Sequence, residues 1–154
     1  MTKPTPEDRV RFRVRDYGPG DFPQVEAVWR EAGMATPKRG DSAEVVDRTL
    51  RHEGARLFVL EDGESGRLAG TSWMTCDGRR IHLHHFAVAA EWRGRGLAKI
   101  LLEASLRHVR AEGIQVKLEV HKSNGPAVNL YRKAGFETIG DYEVYIIRDL
   151  TKMP

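Results

Sequence analysis

The chain has 154 residues, 40% of them hydrophobic and 31% charged, values that are ordinary for a globular protein. This length predicts a single domain over residues 1–154, with residues 1–8 loose at its start. The net charge is only +3 and the arginines are spread along the chain, which argues against a nucleic-acid binder. Apolar runs are too short to span a membrane and the first residues contain no signal-peptide core, so we expect a cytoplasmic protein.

The first half of the chain predicts one strand, two helices and a meander of three strands. Apolar residues alternate with arginines over residues 10–14, which is typical of a half-buried strand. A helix is expected after Asp21 as N-cap, and a second where Asp41 and Glu44 have capping-box spacing. Hairpin signals then separate expected strands at residues 56–60, 68–75 and 81–88.

The second half changes to a βαβ pattern. A helix is expected over residues 96–112, followed by a strand at residues 116–120 that runs parallel to the strand at 81–88. A short helix over residues 126–134 and a closing hairpin over residues 136–148 complete the chain. These elements predict an α/β (α+β) fold with a mixed sheet and helices on both faces.

A glycine-rich turn, RGRGLA from Arg93 to Ala98, connects the strand at residues 81–88 to the long helix. Gly94 and Gly96 let the backbone approach a ligand closely, and the helix start offers unpaired N–H groups to a phosphate. Arg93 and Arg95 add cationic side chains. The turn lacks the spacing of a Walker or Rossmann loop, and by itself it also fits a tight turn that needs glycine for geometry.

Two ordered motifs resemble those of the GCN5-related N-acetyltransferase (GNAT) superfamily. Arg93, Gly96 and Ala98 match the family pattern Gln/Arg-x-x-Gly-x-Gly/Ala after a strand. The second motif lies in LEVHKSNGPAVNLYRKAGF, and its matching residues are Asn124, Ala127, Leu130, Tyr131, Gly135 and Phe136. The resemblance covers residues 81–136, and the order of the remaining elements also fits.

The resemblance implies a mostly antiparallel sheet of about 6–7 strands with about four helices. It implies acetyl-CoA as cosubstrate, held where the sheet splays beside the glycine-rich turn, and no metal. The turn and Lys99 would hold the pyrophosphate, while the strand edge at Phe86 and Val88 would pair with the pantetheine arm. The cofactor-binding residues implied in this way are Phe86, Ala87, Val88, Arg93, Gly94, Arg95, Gly96, Leu97, Ala98, Lys99, Asn124, Ala127 and Tyr131.

Amine acetylation needs a base for the ammonium, donors for an oxyanion and an acid for the departing thiolate. Tyr131 matches the tyrosine that many family members use as the acid, and core packing is its other interpretation. The backbone N–H of Phe86 or Val88 is the expected oxyanion donor.

The base is expected on the strand before the turn. His82 and His84 are similar in position to two histidines of the arylalkylamine N-acetyltransferases, which relay the proton through water. Alternation along a strand puts both histidines and Phe86 on one face and His85 on the other, where a structural role is expected. A polar lining without catalytic function remains the alternative, and Glu119 is a weaker candidate base.

The resulting hypothesis is an N-acetyltransferase that moves an acetyl group from acetyl-CoA to a primary amine by direct attack in a ternary complex. The acceptor is a small-molecule amine or a peptide N-terminus, because the second motif is also similar to that of ribosomal-protein N-terminal acetyltransferases. A non-catalytic acyl-CoA-binding or regulatory module is the alternative. No nucleic-acid or membrane partner is expected, and a homodimer is left open.

Overall fold

A five-stranded sheet with the order β1-β2-β3-β4-β5 forms the centre of the molecule. The computed structural model describes residues 2–153, so Met1 and Pro154, the ends of the predicted domain, lie outside it. Neighbouring strands are antiparallel except β4 and β5, which are parallel, and this confirms the predicted α/β (α+β), mostly antiparallel sheet. The strands are β1 (Phe12–Asp16), β2 (Arg56–Asp62), β3 (Leu68–Cys76), β4 (Arg80–Val88) and β5 (Gln115–Leu118).

Helices cover both faces of this sheet. On one face the α2 residue Trp29 donates its indole N–H to Thr71 of β3 at 2.9 Å. On the other face the hydroxyls of Ser72 in β3 and Ser105 in α4 lie 2.8 Å apart. The helices are α1 (Pro6–Arg11), α2 (Phe22–Glu31), α3 (Ala43–Leu50), α4 (Leu97–Glu112) and α5 (Gly125–Lys133), with 3-10 turns at Pro19–Asp21, Ala90–Trp92 and Leu150–Lys152.

The predicted splay of the sheet lies between β4 and β5. Their parallel pairing joins Arg80–Leu83 to the four residues of β5 and extends no further within the described chain. The remaining edge of β4, residues 84–88, therefore faces an open gap. Exposed backbone N–H and C=O groups on such an edge are available to an extended ligand.

A helix begins at Pro6, inside the stretch of residues 1–8 that is expected to be loose and of which Met1 lies outside the described residues. Thr5 and Asp8 form a reciprocal capping box at the N-terminus of α1, with Pro6 in the first turn. The expected strand at residues 10–14 consequently starts only at Phe12, and Val10 lies in the helix with 74% of its surface exposed. The residues of this capping signal, Thr5, Pro6 and Asp8, are close together in the sequence.

The predicted closing hairpin is wrong. Within the described chain, residues 136–149 belong to no helix or strand, so the sheet has five strands rather than about 6–7. Tyr145, Ile146 and Ile147 are consecutive and all exposed, so this segment has no single apolar face that one side of a sheet could bury. The described chain instead has five α-helices, one more than expected.

Helix α3 begins one residue later than its capping-box spacing predicts. Ser42, not Asp41, is the N-cap, and its hydroxyl accepts the Val45 N–H at 3.4 Å. The Asp41 carboxylate is thereby released from a capping role. It contacts His85 of β4 instead, at 2.9 Å.

Candidate active site

The gap beside β4 opens into a cleft of about 1060 Å³. We call the part formed by residues 93–99 the turn end, and the part formed by His82, His84 and His85 the histidine end. The predicted site residues that line the cleft are His82, His84, Phe86, Ala87, Val88, Arg93, Gly94, Gly96, Leu97, Ala98, Lys99, Asn124, Ala127 and Tyr131.

Two left-handed glycines shape the turn end. Gly94 has φ 78° and Gly96, the N-cap of α4, has φ 76°. A Cβ at Gly94 would meet no atom within 4 Å, so the bare backbone there faces open space. Together with the unpaired amides at the start of a 16-residue helix, this concave backbone fits a phosphate group.

The two arginines of the turn have different partners. Arg93 donates its Nε–H to the Val88 carbonyl at 2.9 Å, which ties the turn to the end of β4. Arg95 pairs with Asp8, lies over the Phe12 ring at 5.1 Å and does not line the cleft. The structure therefore gives the Arg95 side chain a structural partner, in place of the phosphate contact expected from the sequence.

Asn124 and Tyr131 reach the cleft from α5. Asn124 caps this helix, and its side chain accepts the Ala127 N–H at 3.3 Å. Tyr131 is 7% exposed and packs edge-on against Phe86 and Phe136, at 5.9 Å and 5.6 Å between ring centroids. Burial raises the pKa of Tyr131 to about 12, so its phenol stays protonated at neutral pH and can donate a hydrogen.

His84 lies at the histidine end, open to the cleft. Its Nε2 is 2.8 Å from the Thr75 hydroxyl on β3. The surrounding walls desolvate the ring and lower the pKa of His84, with smaller contributions from His82 and His85. A neutral imidazole at neutral pH is the form that accepts a proton.

His82 lies next to His84, with 6.0 Å between ring centroids. Its Nε2 is 3.6 Å from a carboxylate oxygen of Asp77, in the turn between β3 and β4. Backbone hydrogen bonds, first that of Arg80, lower the pKa of Asp77 to about 2, so this carboxylate is ionised near neutrality. The two histidines thus lead from the cleft toward the solvent-exposed turn.

His85 enters the cleft lining through a bulge in β4. Trp73 is opposite His84 and Thr71 is opposite Ala87, so β4 has one extra residue here, and His85 has φ 43°. The prediction that His85 faces away from His84 is therefore wrong. Both rings lie against Trp73, at 5.3 Å and 6.1 Å, whereas Phe86 turns toward Tyr131.

Long-range contacts hold this bulge in place. Thr71 accepts the Trp29 indole N–H and donates its own hydroxyl to the His85 carbonyl at 2.8 Å. The His85 ring packs on Trp29 at 4.5 Å, and its Nε2 lies 2.9 Å from an Asp41 carboxylate oxygen. Burial lowers the pKa of His85, and nearby Asp41 partly opposes this effect.

The part of the cleft next to the histidine end is polar and contains charges of both signs. Glu119, the weaker candidate base, lines the cleft and lies 3.8 Å from Lys117. Among residues 2–153, no group of three or more His, Cys, Asp or Glu side chains is arranged to hold a metal ion. No helix formed by these same residues is both long and apolar enough to cross a bilayer.

A sheet splayed beside a glycine-rich turn and a helix N-terminus defines a class of domains that bind a phosphate-bearing extended cosubstrate. The family comparison identifies which class this is. The chain belongs to the acetyltransferase (GNAT) family, whose model matches residues 22–136.

Among curated proteins, the chain is 33% identical over 150 residues to a mycothiol acetyltransferase of Saccharomonospora viridis. The match covers 88% of this chain and 49% of that protein, so the chain spans about half the length of this relative.

Solved structures share the fold at low identity. The ribosomal-protein-S18-alanine N-acetyltransferase from Escherichia coli is 24% identical with a TM-score of 0.68, over 82% of this chain and 77% of that one. An acetyltransferase from Trypanosoma brucei is 20% identical with a TM-score of 0.71, over 88% and 99%. AAC(6')-Iy, in complex with a bisubstrate analog of CoA, is 18% identical with a TM-score of 0.72, over 90% and 99%.

Proposed function

We propose that this protein is an acetyl-CoA-dependent N-acetyltransferase that acetylates a primary amine by direct attack in a ternary complex. The observation that supports the proposal is that a single cleft brings four features together. A phosphate-fitting turn, an open strand edge, a protonated tyrosine and a neutral histidine all line it. The proposal assigns the whole activity to one domain.

Acetyl-CoA supplies a thioester, whose acyl carbon an amine can attack. The turn at residues 93–98 and Lys99 would hold its pyrophosphate through backbone amides and the ammonium group. The free edge of β4 would pair with the extended pantetheine arm, and Asn124 and Ala127 would border its other side. The backbone N–H of Phe86 or Val88 would stabilise negative charge on the carbonyl oxygen.

His84 accepts, through water, the proton that the acceptor ammonium must lose before its nitrogen has a lone pair. His82 lies beside it and passes that proton toward solvent near Asp77. Tyr131 donates a hydrogen to the departing sulfur. The nitrogen loses its second proton as it becomes an amide, and this proton replaces the one that Tyr131 gave up, so each turnover releases one proton to solvent. The acceptor nitrogen gains the acyl carbon as the carbon–sulfur bond breaks.

The acceptor is a small amine or a peptide N-terminus. A mycothiol-type amine belongs among the candidates because the curated relative at 33% identity is a mycothiol acetyltransferase. Peptide N-termini are included because an S18-alanine N-acetyltransferase shares the fold.

The test is an acceptor screen with arylalkylamines, polyamines, aminoglycosides, amino acids, mycothiol-type amines and N-terminal peptides. Steady release of free CoA thiol, together with a 42-dalton gain in acceptor mass by mass spectrometry (about the mass of an added acetyl group), is the expected result. Initial-rate lines that intersect when both substrates are varied support direct attack, whereas parallel lines indicate a covalent acetyl-enzyme. Tight acetyl-CoA binding without turnover on any amine would support a non-catalytic binding module instead.

A further inference from the structure

A chain of two buried hydrogen bonds ends at the bulge in β4. The Trp29 indole N–H donates to Thr71 Oγ1 at 2.9 Å, and Thr71 Oγ1 lies 2.8 Å from the His85 carbonyl oxygen. An indole N–H can only donate and a carbonyl oxygen can only accept, so the single hydroxyl hydrogen of Thr71 must point at His85. Trp29 and Thr71 are completely buried, so water does not compete with either bond.

The His85 carbonyl belongs to the same peptide unit as the Phe86 N–H. This peptide bond is trans, and in a planar trans unit the C=O and the N–H point in opposite directions. Thr71 reaches the carbonyl from β3, on one side of β4, whereas the gap beyond the β4–β5 pairing lies on the other side. The Phe86 N–H therefore points into the cleft, and the hydrogen bond from Thr71 fixes its direction.

The peptide unit needs this support because it lies within the bulge. The register of β3 and β4 shifts between Thr71 and Trp73, so the regular ladder does not set the orientation of the unit. His85 has φ 43°, a conformation that a non-glycine residue keeps only when its surroundings hold it. A hydroxyl that donates to the carbonyl opposes rotation of the unit. It also polarises the amide, which makes the N–H at the other end a stronger donor.

Phe86, rather than Val88, lies where a reacting thioester is expected. Arg93 ties the Val88 carbonyl to the turn end at 2.9 Å, and the turn end is the proposed pyrophosphate site. The thioester is at the opposite end of the pantetheine arm. Phe86 is further from the turn along β4, and its ring packs at 5.9 Å from the ring of Tyr131, the proposed acid. The Phe86 N–H is thus on the side of the cleft where the carbon–sulfur bond would break.

We propose that Thr71 is a positioning residue for acyl transfer, which directs the Phe86 N–H at the acetyl carbonyl oxygen and is itself oriented by Trp29. The inference rests on the proposed function, because it concerns the thioester of acetyl-CoA. As the amine nitrogen bonds to the acyl carbon, an electron pair of the carbonyl moves to the oxygen, where the N–H stabilises the charge. The pair returns as the carbon–sulfur bond breaks. Thr71 itself does not line the cleft, so it acts only through the peptide unit.

The experiment measures the carbonyl stretching frequency of acetyl-CoA, isotope-labelled at the acetyl carbonyl and bound to the full chain, by infrared difference spectroscopy. Thr71→Val keeps the shape of the side chain and lacks the hydroxyl, whereas Thr71→Ser keeps the hydroxyl. The matched control is Ser72→Ala, which removes a buried hydroxyl from the next residue of β3, on the α4 face and outside the cleft.

A hydrogen bond to the acetyl oxygen weakens the C=O bond and lowers this frequency. Wild type, Thr71→Ser and Ser72→Ala are therefore expected to show a lower frequency than free acetyl-CoA, and Thr71→Val a frequency near the free value. Thr71→Val and Ser72→Ala should both lower the melting temperature, since each removes a buried hydrogen bond. The carbonyl frequency thus separates positioning from a purely structural role.

Steady-state kinetics with an amine from the acceptor screen provide the second measurement. Thr71→Val is expected to lower kcat about 20-fold with unchanged KM for acetyl-CoA, a part of the loss of about 100-fold or more that removal of an oxyanion donor causes. Thr71→Ser should restore kcat to within about threefold of wild type.

The same carbonyl frequency in Thr71→Val as in wild type, or the same kcat in Thr71→Val as in Ser72→Ala, would overturn the role of Thr71 while leaving the proposed function standing. A wild-type frequency equal to that of free acetyl-CoA would do the same. Wild type that binds no acetyl-CoA would overturn both.

Discussion

The turn end and the histidine end of the cleft are built in different ways. The turn end is one contiguous stretch, residues 93–99, whose shape comes from two left-handed glycines and the start of α4. The histidine end is assembled from β4, β3, α2 and Asp41, two residues before α3, joined by contacts such as that of His85 with Asp41. Local chain geometry thus makes the turn end, and tertiary packing makes the histidine end.

This difference separates the expected effects of substitutions. Changes at the turn end should alter affinity for acetyl-CoA and leave the acceptor response intact. Changes at the histidine end should alter the acceptor response, the rate or its pH dependence, and leave acetyl-CoA affinity intact. Tyr131, which lines the cleft from α5, should affect the chemical step most.

Tyr131→Phe is expected to lower kcat by about 100-fold with little change in KM for acetyl-CoA, because only the proton donor is lost. Phenylalanine keeps the contacts with Phe86 and Phe136, so the melting temperature should stay within a few degrees of wild type. Steady-state kinetics and thermal melts measure both quantities. Tyr142→Phe, at a residue 80% exposed, is the control, and equal kcat for both variants would remove Tyr131 as the acid.

His84→Gln is expected to lower kcat by about 30-fold, because the water-mediated base is lost. The pH profile gives the sharper result. Desolvation lowers the pKa of His84 below its ordinary 6.5, so the neutral, proton-accepting form persists into mildly acidic solution. Wild-type kcat should therefore fall only as the pH drops below about 6.5, through the lowered pKa, and His84→Gln should lose this acid limb.

His82→Gln is the matched variant for that profile. It is expected to slow the reaction less and to keep the acid limb, since His84 remains as the direct acceptor. If His82→Gln no longer showed the fall of kcat at low pH while His84→Gln still did, His82 would be the direct proton acceptor and His84 the relay.

Gly94→Ala is expected to raise the Kd for acetyl-CoA by about 10-fold, because a methyl group would project into the phosphate-fitting turn. Gly66→Ala is the control, since Gly66 has φ 69°, also faces open space, and lies in the β2–β3 hairpin. Both substitutions should cost about 1 kcal/mol of unfolding free energy from left-handed strain. Equal acetyl-CoA affinity in the two variants would contradict the assignment of the turn end.

Asp41→Asn is expected to have the smallest effect, raising the acceptor KM about threefold with unchanged acetyl-CoA affinity. The substitution weakens the contact with His85 at 2.9 Å, which joins the segment before α3 to the bulge in β4. Glu44→Gln, in the first turn of α3 and outside the cleft, controls for the loss of charge. A changed Kd for acetyl-CoA in Asp41→Asn would show that the two ends are coupled.

The sequence alone predicted the backbone geometry of the turn end, a glycine turn before a helix, but not the bulge at the histidine end. Gly94, Gly96 and the capping Asn124 act within a few residues of their own positions, so local patterns find them. His85 and Asp41 are 44 positions apart in the chain, and the bulge that brings them together depends on Thr71 and Trp29. Strict alternation along β4 gave the wrong face for His85 because no local signal marks the extra residue.

At the two ends of the chain, too, local patterns do not predict contacts between residues that are far apart in the sequence. The signal for α1 was local and available in Thr5, Pro6 and Asp8, whereas the burial of Asp8 against Arg95 depends on a contact across the fold. At the other end, the sequence predicts a closing hairpin over residues 136–148 that the structure does not contain. A strand also needs a neighbouring edge to pair with, and the sequence pattern does not report whether one is in reach.

The stacked indoles of Trp29 and Trp73 give the molecule an intrinsic optical probe. Their rings lie 5.5 Å apart and 15° from parallel, and both contact the His85 ring. Two chromophores held in this way couple their near-ultraviolet transitions, so the circular dichroism band reports the geometry of the bulge without any label. Binding of a ligand at the histidine end would change that circular dichroism band, even before any product is formed.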